Sequence, residues 1–462
     1  MKRFIPAIST LAGFLLIAFF ILWAFSLHGT LGLFRVNGQF HSLFLYAGGF
    51  GLLLLLGAIL YFVLKKKPKT PGLKWLAAIL LFLSVPGILG PPMAFLYADG
   101  AFSGSLGATP PQLLIADGSG KNGIPDLAVT FNSVSPEKDT LTWGTPDKMI
   151  TDTENAAQTG HVFMLRDLEP STAYSYSINS GNPYTFTTPA AGDELHFAMG
   201  SDAHFGAGDN RPDLTARMLG EIADKANGFD LFLSAGDLVD RGFSAGQWGE
   251  AFRAFSAASS VIPTRFAAGN HDTLFSGLSR YERYAYPAEI VVQTGSRLWY
   301  RIDVGKVHFL VLDIEWSAES YTSAQASWLE AQLKDIPSDD WKIVVSHGFY
   351  YASGSVVDGW EWYDNHETIS ALSPLFEKYG VNLVLSGHNH QMEWLQHNGV
   401  SYAICGAFGG LPDVARTYTS PASLWYLNGA DGFLDVTIKG DTCTVTFRDP
   451  GNAAIKTFSI SR

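Results

Sequence analysis

Five short motifs place carboxylates, an amide and imidazoles in a fixed order along this chain: Asp202-Ala203-His204, Gly236-Asp237, Gly269-Asn270-His271-Asp272, His347 and Gly387-His388-Asn389-His390. Oxygen and imidazole donors together suit Mn²⁺, Fe²⁺ or Zn²⁺. Two such ions ~3.5–4 Å apart, bridged by a carboxylate, can clamp a phosphoryl oxygen, acidify a bound water into a hydroxide nucleophile and steady the leaving oxygen. Seven side chains in these motifs could hold such a pair. A Gly-Asp or Gly-His pair alone occurs by chance, and a single His is usually structural; five motifs in order carry the weight.

Each motif follows an apolar run of the length and composition of a buried parallel strand: residues 195–199, 230–233, 264–267, 343–345 and 381–385. In open α/β sheets, sites gather at the carboxyl ends of such strands, so separated motifs can converge there. The amphipathic stretch 323–334 predicts a helix with Trp328 and Leu329 in its core face. Residues 402–405 and 442–447 read as strands that complete a second sheet. His196, His308, His161 and His397 lie outside the motifs and are expected to be structural. His366, after the Trp-rich segment 360–365, is a candidate substrate contact.

Over residues 194–440 the motifs resemble those of the calcineurin-like metallophosphoesterases: DxH, GDxx, GNHD or GNHE, a lone His and GHxH. The resemblance implies an α/β (α+β) fold of two packed mixed sheets flanked by helices. It implies two divalent metal ions (Mn, Fe or Zn), one held by Asp202, His204, Asp237 and His390, the other by Asp237, Asn270, His347 and His388, with Asp237 bridging. It also gives His271 a place over the phosphate, with Asp272 orienting its ring. The segment Gly236–Gly242 is similar to that of protein Ser/Thr phosphatases, which implies a phosphate contact for Arg241. Asp313 is expected to stand behind the ligands. Purple acid phosphatases are similar too, but they carry a tyrosinate three residues after the bridging Asp, where this chain has Asp240, and no His ligand at the position of His204. A tyrosinate–Fe(III) centre is therefore not expected.

With 462 residues and 47% hydrophobic content, the chain exceeds one ordinary domain. Residues 1–98 hold eight basic residues and no acidic one, which leaves all 43 acidic and 23 of 31 basic residues beyond them. An acidic catalytic part argues against a nucleic-acid partner, because phosphate backbones bind basic surfaces. Apolar runs at residues 4–25, 43–64 and 75–97 have the length of membrane helices. Lys2, Arg3 and the lysines at 65–74 then set the amino terminus inside and the catalytic domain outside the cell membrane. Cys405 and Cys443 would share an oxidising compartment, with pairing left open.

The expected order is thus a membrane anchor at 1–97, a Gly, Ser and Pro-rich linker at 98–111, a β-sandwich at 112–190 and the catalytic domain at 194–462. Six alternating segments between 112 and 187 suggest the sandwich. Residues 168–174 resemble the fibronectin type III corner, in which a Tyr hydroxyl caps the backbone. The expected function is hydrolysis of phosphate esters, monoesters by preference, with a bilayer, a phosphate-ester substrate and no identified protein partner. A phosphodiesterase or pyrophosphatase acting on nucleotides or lipid-linked phosphates is the alternative. A non-catalytic surface binding protein is the third reading.

Overall fold

The computed structural model describes residues 100–462, apart from 119, 275–276, 292–295, 358–359 and 414, and isolated positions before residue 100. The chain divides into two units, residues 1–102 with 356–361, and the remainder. In the first, Val356–Val357 pairs antiparallel with Trp360–Glu361.

The expectation of a multi-pass protein of the cell membrane, with an outward catalytic domain, is corrected here. The three runs assigned to the membrane lie largely outside the described residues. Among the described residues no helix is long and apolar enough to cross a membrane. The longest, Ala245–Ser259, has 15 residues against the ~20 that a bilayer core requires.

Alternation along apolar strands builds the second unit. In Trp341–Ser346, Trp341, Ile343 and Val345 point into one apolar cluster and Val344 into another. Leu383, Val384 and Leu385 divide in the same way. Strands buried on both faces read as continuous apolar runs because each side chain meets a different layer.

Two mixed sheets result. The nine-stranded one runs Ala454–Ser461, Thr442–Arg448, Phe433–Lys439, Glu194–Gly200, Leu231–Ser234, Thr264–Phe266, Thr109–Ile115, Leu127–Glu137 and Gln158–Leu165. Its middle four strands are parallel. The seven-stranded sheet runs Tyr300–Val304, Val307–Val311, Trp341–Ser346, Leu383–Ser386, Val400–Cys405, Met392–His397 and Ser423–Leu427. Four of these are parallel. Phe197 meets Phe309 edge-on at 5.2 Å, and Trp394 stacks on Phe458 at 4.7 Å, so the sheets face one another. Helix Ser323–Asp335 and helix His366–Tyr379 cover the second sheet through Leu329, Leu333, Leu372 and Phe376. Helix Pro212–Ala223 and helix Ala245–Ser259 contribute Leu219 and Phe255 to the other cluster.

The six strands expected between 112 and 187 form, and Lys148–Thr153 joins them. They are divided between two sheets. Lys148–Thr153, Thr140–Thr145, Ala173–Ile178 and Tyr184–Thr187 make a four-stranded sheet of their own. The other three extend the nine-stranded sheet, with Leu114 beside Thr264 in parallel. Buried Arg265 reinforces this junction: its Nη1 donates to the Ile115 carbonyl at 2.7 Å, and its guanidinium lies 3.4 Å from the Tyr286 ring centre. Thr442–Arg448 was expected in the second sheet and belongs to the first, paired with Phe433–Lys439. Strand composition leaves the choice of partner open, because pairing is set by where the chain returns.

His196 and His308 bond to Asp435, and to Asp303 and Asp340, respectively. His161 sits between Glu154 and Asp139, and His397 stacks on Tyr351. Both cysteines are buried and unbridged, and Cys405 donates to the Gly432 carbonyl.

The Tyr174 hydroxyl accepts from the Glu169 backbone N–H at 2.9 Å, the corner expected from residues 168–174. Tyr174→Phe should lower stability by about 1 kcal/mol. Chemical denaturation checks this, with hydrolytic rates expected to match the parent.

Candidate metal centre

Parallel strands deliver the five motifs to one place. Glu194–Gly200, Leu231–Ser234 and Thr264–Phe266 end just before Asp202, Asp237 and Asn270. Trp341–Ser346 and Leu383–Ser386, from the facing sheet, end before His347 and His388. The chain must turn sharply as it leaves each strand. Asp202, His204, Asp237 and His388 all take left-handed backbone, with φ of 64°, 47°, 52° and 68°. Non-glycine residues pay for that conformation, and surroundings must enforce it. Here bonds between the turns do so: Asp202 N–H donates to the Gly236 carbonyl, His204 N–H to the Asp237 carbonyl, and His388 N–H to the Asp202 carboxylate at Oδ2. Gly269 has to be glycine, because a Cβ there would strike Asp237 Oδ1.

All seven candidate ligands come together. The Asp202 Oδ1 lies 3.3 Å from His390 Nε2, 3.7 Å from His204 Nε2 and 4.0 Å from His347 Nε2. Asp237 Oδ2 lies 3.3 Å from His347 Nε2 and 3.5 Å from His204 Nε2. Asn270 Oδ1 is 3.0 Å from both His347 Nε2 and His388 Nδ1. His204 and His390 bring their Nε2 atoms within 3.1 Å of each other, as His347 Nε2 and His388 Nδ1 also are.

These contacts are those of a site for cations. His347 Nδ1 faces the Ala235 carbonyl at 2.9 Å and His390 Nδ1 the Leu411 carbonyl at 2.6 Å. A carbonyl only accepts, so each Nδ1 carries the hydrogen. In the neutral rings Nε2 then presents a lone pair to a carboxylate, and only a proton or a metal can lie between. Asp202 Oδ1 itself is buried without a hydrogen-bond partner. Asp202, His204 and His390, and Asp202, Asp237 and His347, are two of the Asp/His clusters able to bind metal.

The titration of these groups reflects the same crowding. Burial works against charge on Asp202, but His347 and the contacts of His204 and His390 hold its pKa well below the carboxylate range. Burial also opposes protonation of His347, yet Asp237 and Asp202 push it up to about 10. His390, against burial, is pushed up to about 9 chiefly by Asp202. Burial and the charge on His347 depress His388 to about 3.

His271 joins this group. Its N–H donates to Asp237 Oδ1 at 2.8 Å, and its ring meets that of His204 edge-on at 4.6 Å. Asp272 does not orient that ring, contrary to expectation. Its carboxylate accepts from the backbone N–H groups of Leu238, Val239 and Gly269, at 2.9, 3.2 and 3.1 Å. It thereby ties the turn after Asp237 to the turn before Asn270. The ring is held instead through Nδ1 by the Asp240 carbonyl at 2.8 Å. Buried Arg241 pairs with the Asp240 carboxylate at 2.9 Å. Asp313 bonds through its backbone to Gln325. His366 opens helix His366–Tyr379 and is exposed.

Glu315, Trp316 and Trp362 are at the site and were not singled out from sequence. Thr273 Oγ1 donates to Glu315 Oε2 at 2.8 Å, and burial pushes the Glu315 carboxyl up to about 7. Trp316 and Trp362 pack on the His388 ring. Trp and Glu in a loop carry no motif signal, and only the cluster of aromatics around residues 360–363 hinted at a wall.

Comparison with known proteins assigns the domain first. Residues 195–392 match the family model of the calcineurin-like phosphoesterases. Individual relatives narrow the likeness to the purple acid phosphatases. The chain is 29% identical over 288 residues to purple acid phosphatase 21 of Arabidopsis thaliana, covering 58% of this chain and 62% of that protein. It is 25% identical over 264 residues to acid phosphatase type 7 of Danio rerio, covering 51% and 57%. The chain thus spans about six-tenths of the length of these curated relatives. Among solved structures, purple acid phosphatase PPD1 from yellow lupin seeds superposes with a TM-score of 0.63 at 17% identity, over 77% of this chain and 74% of that one. PhoD gives 0.58 at 13% identity, over 77% and 89%. Both structures share the fold.

Asp237→Asn should remove most bound metal and nearly all hydrolysis. Elemental analysis of the purified variant, beside a phosphate-release assay, checks both. Because His347 and His390 hold protons that metal must displace, affinity should rise with pH from 6 to 8, with net proton release. Calorimetric titration with Mn²⁺ or Zn²⁺ in two buffers of different ionisation enthalpy measures that release.

Proposed function

We propose that the protein is a dimetal phosphohydrolase that cleaves phosphate esters, phosphomonoesters by preference. Asp202, His204, Asp237 and His390 would hold one ion, and Asp237, Asn270, His347 and His388 the other. The observation that carries this reading is Asp202 Oδ1, buried and without a hydrogen-bond donor, ringed by imidazole nitrogens beside a second buried carboxylate. Bound there, two divalent ions supply Lewis acidity, an activated water and a clamp for the phosphoryl oxygens.

The chain's own groups do the rest. The Asp240 carbonyl takes the Nδ1 hydrogen of His271, so Nε2 is the atom that can give a proton to the leaving oxygen. Nε2 carries that proton only in the protonated ring, and burial lowers the pKa of His271, which shifts the protonated form to lower pH. Arg241 acts through Asp240: its guanidinium pairs with the side-chain carboxylate of the residue whose backbone carbonyl steers the ring. This assigns Arg241 to positioning in place of phosphate contact. Asp272 keeps the turns of Asp237 and Asn270 in register. The strong net negative charge, −12 for the chain, fits a small phosphate ester better than a nucleic acid.

A substrate panel of monoesters, diesters and pyrophosphate, run with Mn²⁺, Fe²⁺ or Zn²⁺, tests the assignment. Phosphate release from monoesters is expected, and none from any substrate with any metal would overturn it. His271→Ala should retain metal while kcat falls by a factor on the order of 10²–10⁴. The fall should be smaller on an activated aryl phosphate, whose leaving group departs with little need of a proton, than on an alkyl phosphate. Equal losses would assign His271 to charge stabilisation on the phosphoryl oxygens.

A further inference from the structure

Two tryptophans flank the His388 ring at the metal centre. The Trp362 ring stacks on His388, with centroids 5.0 Å apart and planes at 16°. Phe349 lies nearly parallel to the same imidazole at 5.8 Å and is buried. Trp316 meets His388 edge-on at 4.8 Å and leans on Trp362 at 5.9 Å. Support of the imidazole accounts for Phe349 and Trp362. It leaves Trp316 unexplained, because that side chain keeps 43% of its surface exposed. An indole left in water beside a polar centre forgoes burial that a ring-bearing ligand can supply.

The platform is built in advance. Asn365 Nδ2 donates to the Trp316 carbonyl at 2.9 Å, while Asn365 Oδ1 caps the helix that starts at His366. Ser317, next in the chain, donates to Asn365 and Glu367. Asn389, between His388 and His390, donates to the Trp362 carbonyl at 3.2 Å. The Trp316 backbone is thus tied to the cap of helix His366–Tyr379, and the Trp362 backbone to the turn that carries His388 and His390. Little ordering remains to be done when a ring docks, which favours affinity.

The loop that carries Trp316 is also bonded to the turn that carries His271. Thr273, in the same short turn as His271, bonds to Glu315, the residue before Trp316.

Resting on the phosphoesterase reading above, we infer that Trp316, backed by Trp362, is a stacking platform that selects phosphate esters whose leaving group carries a flat aromatic ring, a nucleobase or a phenol. The chemistry shared by the two is the π face. Stacking on an aromatic side chain accepts any such ring. Because contact exists before and during reaction alike, it lowers KM more than it raises kcat.

The test uses the metal-loaded full chain with three probes: adenosine 5′-monophosphate, phenyl phosphate and glycerol 3-phosphate. Trp316→Ala should cut kcat/KM on the first two by roughly 10-fold, mostly through KM, as expected for one lost stacking contact. The loss on glycerol 3-phosphate should be several-fold smaller. Trp316→Phe should restore most of the difference, since a smaller ring still stacks. A greater loss on the nucleotide than on phenyl phosphate assigns the platform to nucleobases, and the reverse assigns it to simple phenols. Equal losses on all three probes, with lowered metal content, would make Trp316 a support for His388 and overturn the proposal. If the parent hydrolyses none of the three, the monoester preference fails by itself, and adenosine binding still decides the platform. Saturation transfer from protein to adenosine ring protons, present in the parent and lost in Trp316→Ala, supports it. No transfer in the parent overturns it.

Discussion

Two carboxylates, Asp202 and Asp237, are almost wholly removed from water and set against histidine nitrogens whose hydrogens are committed elsewhere. Buried charge of one sign is costly unless matched, and in this interior only cations can match it. The carbonyls of Ala235 and Leu411 decide which nitrogen of His347 and His390 faces inward. The ring orientation of a ligand and the direction of its lone pair are thus fixed by backbone well away from the charge. Protons can fill the role, as the elevated pKa values of both histidines indicate, and metal ions would fill it with the same groups.

The backbone bears the strain that this requires. Four of the seven candidate ligands adopt left-handed φ, which costs of order 1–3 kcal/mol at each such position. What offsets it is a mesh of bonds among the turns: Asp202 to His388, Asp237 to His271, and Asp272 to three amides across the two neighbouring turns. Asp272 is notable because it serves the centre without pointing at it. Burial and the nearby Asp237 raise its pKa, while its three N–H donors pull the other way. The turns are therefore coupled, and a change at one strand end is felt at the next.

The fold makes the mesh feasible by bringing two sheets face to face. Three strand ends come from one sheet and two from the other, and the Phe197–Phe309 and Trp394–Phe458 contacts set their separation. Strands from the amino-terminal part extend the first sheet through Leu114 and Thr264, with Arg265 spanning the junction. What resembles a leading sandwich in sequence is thus partly continuous with the sheet that carries Asp202, Asp237 and Asn270.

The sequence by itself determined the strands, their buried character and the order of the motifs, because period-two apolar patterning and donor side chains are local properties. The runs before Asp202, Asp237, Asn270, His347 and His388 all end as strands within a residue or two of where their composition ended them. Tertiary structure alone decided which sheet each strand joined, and Thr442–Arg448 entered the first sheet because its hairpin with Phe433–Lys439 pairs against Glu194–Gly200. It decided that Asp272 braces backbone and that the Asp240 carbonyl holds His271, since several acceptors lay equally near in sequence. It also placed Trp316 and Trp362 on His388, although 46 residues separate the two tryptophans along the chain. Long-range juxtaposition of that kind follows from where two loops end after the sheets pack, and no local pattern of residues encodes it.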